Sequence, residues 1–77
     1  MSEKKITKEA AAQIALEFLK KRKSTEKVEV STVELSKENW VIRGVCPIDM
    51  EGHSWAEKFE VTLDNKGKVK STDFALL

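Results

Sequence analysis

This chain has little with which to build a chemical site. Its 77 residues include one cysteine, one histidine, one proline, three glycines and no tyrosine. With Cys46 as the single thiol, no disulfide can close within the chain, so packing alone must hold the fold. Structural zinc sites usually draw on two or more thiolates, and a nucleophile–base pair also needs an orienting group and an oxyanion site. The sequence points to neither. No apolar run exceeds four residues, whereas a membrane-spanning helix needs about 20. The opening Met1-Ser2-Glu3-Lys4-Lys5 is charged and lacks the apolar stretch of a secretory signal. These absences point to a reducing, cytoplasmic setting. They also point to a single domain with one thin core, with no room for an enclosed active-site cavity as well.

What the chain does have is balanced charge. Fourteen basic residues face 13 acidic ones, a net charge of +1, which gives no long-range pull on a polyanion and argues against a nucleic-acid partner. The charged fraction, 35%, is mostly Lys and Glu (12 and 10). That bias matches the composition reported for hyperthermophile proteins.

The hydrophobic pattern changes period once. Residues 1–5 read as a disordered start, followed by a helix over 6–23. Thr7 is a good N-cap, Glu9 places a carboxylate in the positive first turn, and Ile6 can staple onto Ala11. At 100° per residue Ala11, Ile14, Ala15, Phe18 and Leu19 share one face. Ala10 flanks it on one side, and Ala12 and Leu16 on the other. The apolar stripe is about twice the roughly 100° that a half-buried helix requires. Lys20-Lys21-Arg22-Lys23 closes the helix.

From residue 28 to 77 the period is two. Val28 and Val30 have one parity, Val33 and Leu35 the other, which implies a β-bulge near Ser31–Thr32 or a strand that changes face. Ser36-Lys37-Glu38-Asn39 is a polar turn. The next strand, Trp40–Cys46, has Trp40, Ile42 and Cys46 on one side and Val41, Arg43 and Val45 on the other. Pro47 is expected to stop it, leaving 47–53 irregular. Trp55–Leu63 alternates again with Phe59, Val61 and Leu63 inward. Asp64-Asn65-Lys66-Gly67 is a turn, and a last strand leads into the apolar tail Phe74–Leu77. The predicted fold is α+β: one N-terminal helix packed on a three- or four-stranded antiparallel β-meander. Its predicted core is Ala11, Ile14, Phe18, Trp40, Ile42, Phe59, Val61 and Leu63.

The opening Ile6-Thr7-Lys8-Glu9-Ala10, with Ile14-Ala15-Leu16 and Leu19, resembles the helix of the small PepSY modules. Trp40-Val41-Ile42 and Phe59–Val69, which ends in an Asp-x-x-Gly-Lys-Val turn, resemble their strand pair. The resemblance runs from about residue 6 to residue 70, on structural positions. It implies a helix-on-sheet fold and a binding or inhibitory role towards peptidases, without catalysis.

Three clusters compete for a functional role. Cys46 to His53 gathers a thiol, two carboxylates and the histidine, but at no known zinc or calcium spacing. It reads as a polar surface loop. Lys20, Lys21, Arg22 and Lys23 are the contacts a weak nucleic-acid binder would use. Their plainer role is to complement the helix dipole. Trp40, Trp55 and Phe59 are expected to fill the core. The remaining apolar residues, Ala12, Leu16, Val41, Val45, Phe74, Leu76 and Leu77, exceed what one helix–sheet contact needs. They form the candidate interaction surface, for a homodimer or for another protein. The expectation is a non-enzymatic protein- or peptide-interaction module with no catalytic residue, cofactor, metal or small-molecule ligand.

Overall fold

Thr7 begins the helix through its side chain, whose Oγ1 accepts the Ala10 N–H at 3.1 Å, with Glu9 in the first turn. Helix α1 runs from Lys8 to Lys23 and ends on Ser24, which takes a left-handed backbone (φ 53°) and donates its N–H to the Lys20 carbonyl. Four strands follow: β1 (Glu29–Ser36), β2 (Asn39–Met50), β3 (His53–Asp64) and β4 (Val69–Leu76). They form one antiparallel sheet in the order β1-β2-β3-β4, with α1 across one face. The computed structural model describes residues 6–25, 27–50 and 53–76, without the side chains of 48–50, 53 and 54. The expected disordered start, residues 1–5, lies outside them.

Ala11, Ala15 and Leu19, spaced by four, form the buried line of the helix. They meet Ile42, Cys46, Phe59, Val61 and Leu63 of the sheet. The two alanines keep the helix low on the strands. Ile14 and Phe18 lie one step round the helix and, like Trp40, are only half-buried. The predicted core is therefore shifted by one helical position, towards Ala15 and Leu19, and it gains Cys46.

Two inserted residues set which side chains reach this core. On β1, Val30 pairs with Gly44 and Thr32 with Arg43, so Ser31 is the extra residue. Without that bulge Val28 and Val30 would face away from Val33 and Leu35. With it Val28, Val30 and Val33 all pack against the core, so of the two expected readings, bulge or change of face, the strand takes the bulge. On β4, Ser71 pairs with Thr62 and Val69 with Leu63, so Lys70 is extra and Val69 is brought onto the core side.

The turns follow their residues. Lys37 and Glu38 both have positive φ (49° and 70°), the two-residue primed turn that suits the twist of a hairpin. In the β3–β4 turn Gly67 takes φ 95° with Ile14 Cδ1 only 2.8 Å from where a Cβ would stand. The Asp64 carboxylate accepts the backbone N–H groups of Lys66 and Lys68, each at 2.9 Å.

Pro47 does not end β2. It pairs with Ala56, and the register continues through Ile48↔Trp55 and Asp49↔Ser54 to Met50↔His53. Ser36 and Asn39 close the β1–β2 turn, so Asn39, Val41, Arg43, Val45 and Pro47 turn their backbone polar groups towards β1 by alternation. β1 begins at Glu29, opposite Val45. The N–H that proline lacks would therefore point where no described strand stands, and the ladder to β3 loses nothing.

Two tests follow. A Cβ on Gly44 would stand 2.0 Å from the Glu29 carbonyl and 2.7 Å from the Phe59 ring. Gly44→Ala should therefore cost about 1–3 kcal/mol through displacement of β1 or the ring. Urea unfolding measures it, and an unchanged midpoint would refute this packing. The second test uses pH. The Lys68 N–H, more than the Lys66 and Gly67 amides, holds the Asp64 carboxyl below its usual range. The folded state thus favours ionised Asp64, and that stability is lost as pH falls below about 4. Asp64→Asn should flatten the acid limb of a stability–pH profile, and superimposable profiles would refute the assignment.

Candidate interaction surface

The helix and the central hairpin differ in length. The 16 residues of α1 span about 24 Å, whereas the 12 residues of β2 and of β3 span about 40 Å. The helix enters beside the β3–β4 turn, where the Ile6 N–H donates to the Asn65 carbonyl at 3.1 Å. It ends over Glu57, whose Oε1 lies 2.7 Å from Lys23 Nζ. From there, among the described residues, the hairpin continues as a two-stranded ribbon, 47–50 paired with 53–56. β4 reaches only to Leu76, opposite Glu57, and the molecule is elongated, 53 × 19 × 17 Å.

The root of this ribbon carries exposed apolar side chains on the helix side of the sheet. Leu76 is 60% exposed and Trp55 48%. Trp55 lies two residues from Glu57 along β3, so it is the diagonal neighbour of Leu76 on the same face. The helix end forms the rim. Lys23 Nζ sits 4.1 Å from the Phe74 ring centroid, and the Arg22 guanidinium lies 5.7 Å from Phe74 and 6.0 Å from Phe18. Two of the four helix-end cations are thereby engaged within the fold. Lys20 and Lys21 remain exposed beside Ser24 and Thr25, around a shallow depression of about 420 Å³. The basic run is thus half committed to packing, which thins the nucleic-acid contact set Lys20, Lys21, Arg22 and Lys23.

Cys46 lies beneath this rim and is 1% exposed. Burial pushes its thiol pKa up, Lys23 partly offsets the rise, and Glu57 adds to it. A thiol held in its neutral form is a poor nucleophile. Of the other groups gathered in Cys46 to His53, Glu51 and the side chains of Asp49 and His53 lie outside the described residues. Among the described residues no three His, Cys, Asp or Glu side chains converge as a metal site.

The opposite sheet face is mostly polar. Arg43 Nη2 lies 2.9 Å from Glu60 Oε2, and Arg43 Nη1 lies 3.3 Å from Glu34 Oε1. A shallow groove of about 390 Å³ crosses β2, β3 and β4 here, lined by Arg43, Val45, Lys58, Glu60, Asp73 and Ala75 among others. Val41 and Val45 are half-buried on this face.

The residues expected to form one interaction surface therefore separate into three places. Val41 and Val45 lie on the open face. Phe74 and Leu76 lie on the helix side, because the tail is strand β4 and Phe74 packs against the core. Ala12 and Leu16 are half-buried on the helix flank. Leu77 lies outside the described residues. Trp55 was expected in the core, and its exposure follows from reading through Pro47 and comparing helix and strand lengths. Leu35, also 60% exposed, lies at the far end of the sheet opposite Trp40.

No helix among the described residues is long and apolar enough to cross a membrane. No protein-family model, curated protein or solved structure matches this chain.

Native Cys46 should resist a neutral alkylating reagent at pH 8 and react fully once the chain is unfolded. Rapid labelling of the folded protein would show that the helix end does not seal it.

Proposed function

We propose that this protein is a non-enzymatic, cytoplasmic interaction module that binds another protein or peptide through the ribbon root. The observation that carries this reading is Trp55 beside Leu76 on a sheet face that its helix is too short to cover. Soluble chains seldom leave neighbouring large apolar groups in water, and where they do, the place is commonly a contact site. The aromatic anchor, the apolar neighbour and the cationic rim are the kinds of group that dominate protein interfaces. The PepSY-like features of the helix start and the Asp64–Val69 turn agree with a binding role towards peptidases. The nucleic-acid alternative would rest on Lys20 and Lys21 with no more than a net charge of +1 behind them.

A photo-crosslinking residue placed at position 55 in the full chain tests the reading in a lysate of the source cells. A discrete adduct is expected from position 55 and not from position 41. Excess wild-type protein should suppress it, and a Trp55→Lys/Leu76→Lys double variant should not. Equal adducts from both positions, or none, would reject this surface.

A further inference from the structure

We propose that the last turn of α1, Lys20 to Lys23 with its cap Ser24, is a strap that opens on its own while the rest of the helix and the sheet stay folded, and that this opening admits reagents to Cys46. Proteins open locally where few buried apolar groups and few backbone bonds resist, and the last turn meets both conditions. Leu19 is the last buried residue of α1. Lys20, Lys21, Arg22 and Ser24 are exposed, and Lys23 is half-buried. The backbone bonds that close the helix end on one acceptor, since Ser24 and Thr25 each donate an N–H to the Lys20 carbonyl. Ser24 also holds a left-handed backbone (φ 53°) without being glycine, which a Cβ resists.

The fastening of this turn to the sheet is electrostatic. Lys23 lies between the Glu57 carboxylate and the Phe74 ring, and Arg22 reaches Phe18 and Phe74. Lys20 and Lys23 are like charges three residues apart, which weakens a helix end. Among the described residues Glu57 alone forms an ion pair with any of the four cations. Lys23 and Glu57 are both partly exposed, so each regains water when they part, and pairs of that kind hold weakly. Beneath them Cys46 stands opposite Glu57 across β2 and β3, in one buried cluster with Leu19. Burial is the main reason its thiol stays protonated. Once the turn lifts, the thiol is hydrated and regains ordinary reactivity.

The test is slow alkylation of the intact protein by iodoacetamide at pH 8, followed by mass in a urea series below the unfolding transition. The rate should be nearly independent of urea at first and join the steep line of global unfolding only near the transition. Ala12→Gly, in the body of the helix, should lower the unfolding midpoint and leave the urea-free rate unchanged. Ser24→Gly removes the resisting Cβ and should slow labelling at least ~3-fold. Amide hydrogen exchange supplies a readout that the acidity of the thiol does not move. The Arg22, Lys23 and Ser24 amides should exchange much faster than those of Ala15 and Leu19. Glu57→Gln should speed those three by about 3-fold and leave Ala15 unchanged.

Three results would overturn the proposal. Labelling that follows the global line down to zero urea, or that quickens in Ala12→Gly, would mean that Cys46 is reached only by unfolding. A urea-independent rate that Ser24→Gly leaves unchanged would assign the opening to another part of the cover. Arg22, Lys23 and Ser24 amides as slow as that of Ala15 would show that the last turn does not open by itself.

Discussion

One mismatch of length governs this molecule: a 16-residue helix laid along a hairpin with 12 residues in each strand. A residue advances about 1.5 Å in a helix and about 3.3 Å in a strand, so the helix covers little more than half of the hairpin. The covered part is the protein's core, where Leu19, Ile42, Val61 and Leu63 are fully buried. The rest has the same alternation, and no described helix lies over it. The apolar face that stabilises one end of the hairpin is therefore a surface at the other, and Trp55 and Leu76 stand where the change occurs.

The boundary between the two is fastened by the helix end. Ser24 closes the helix in a left-handed turn, Lys23 lies between the Glu57 carboxylate and the Phe74 ring, and Arg22 spans Phe18 and Phe74. Cations here also complement the exposed carbonyls of the last turn. One short run, Lys20-Lys21-Arg22-Lys23, thus caps the helix, holds the rim of the apolar strip and presents positive charge beside it. The opposite face needs no such lid, because Arg43 with Glu34 and Glu60 keeps it polar.

Much of this was legible in the residues, and the misses have physical causes. The change from period 3.6 to period two located the helix and the meander. The parity slip between Val30 and Val33 located the bulge at Ser31. What alternation alone could not decide was whether the bulge or the strand's other face would absorb the slip, and the core took Val28, Val30 and Val33 while Leu35 stayed exposed. Pro47 misled because a missing N–H matters only if it faces a partner strand. That depends on where β1 begins, which is a fact of tertiary structure. Once the hairpin was cut short at Pro47, the length mismatch was invisible, and Trp55 passed for a core residue by its parity with Phe59. The tail Phe74–Leu76 was recognisably apolar, but only pairing with β3 shows it as a strand with Phe74 turned to the core.

The central claim is that no described helix or strand covers the helix-side face of the hairpin beyond Glu57. It is tested most directly by the fluorescence of Trp55 alone, in a Trp40→Phe variant, measured across a dilution series with acrylamide as quencher. The account predicts red-shifted emission quenched nearly as efficiently as in the unfolded chain and independent of dilution. Blue-shifted emission shielded from acrylamide at every concentration would show that the strip is covered within a single chain, and would contradict the account.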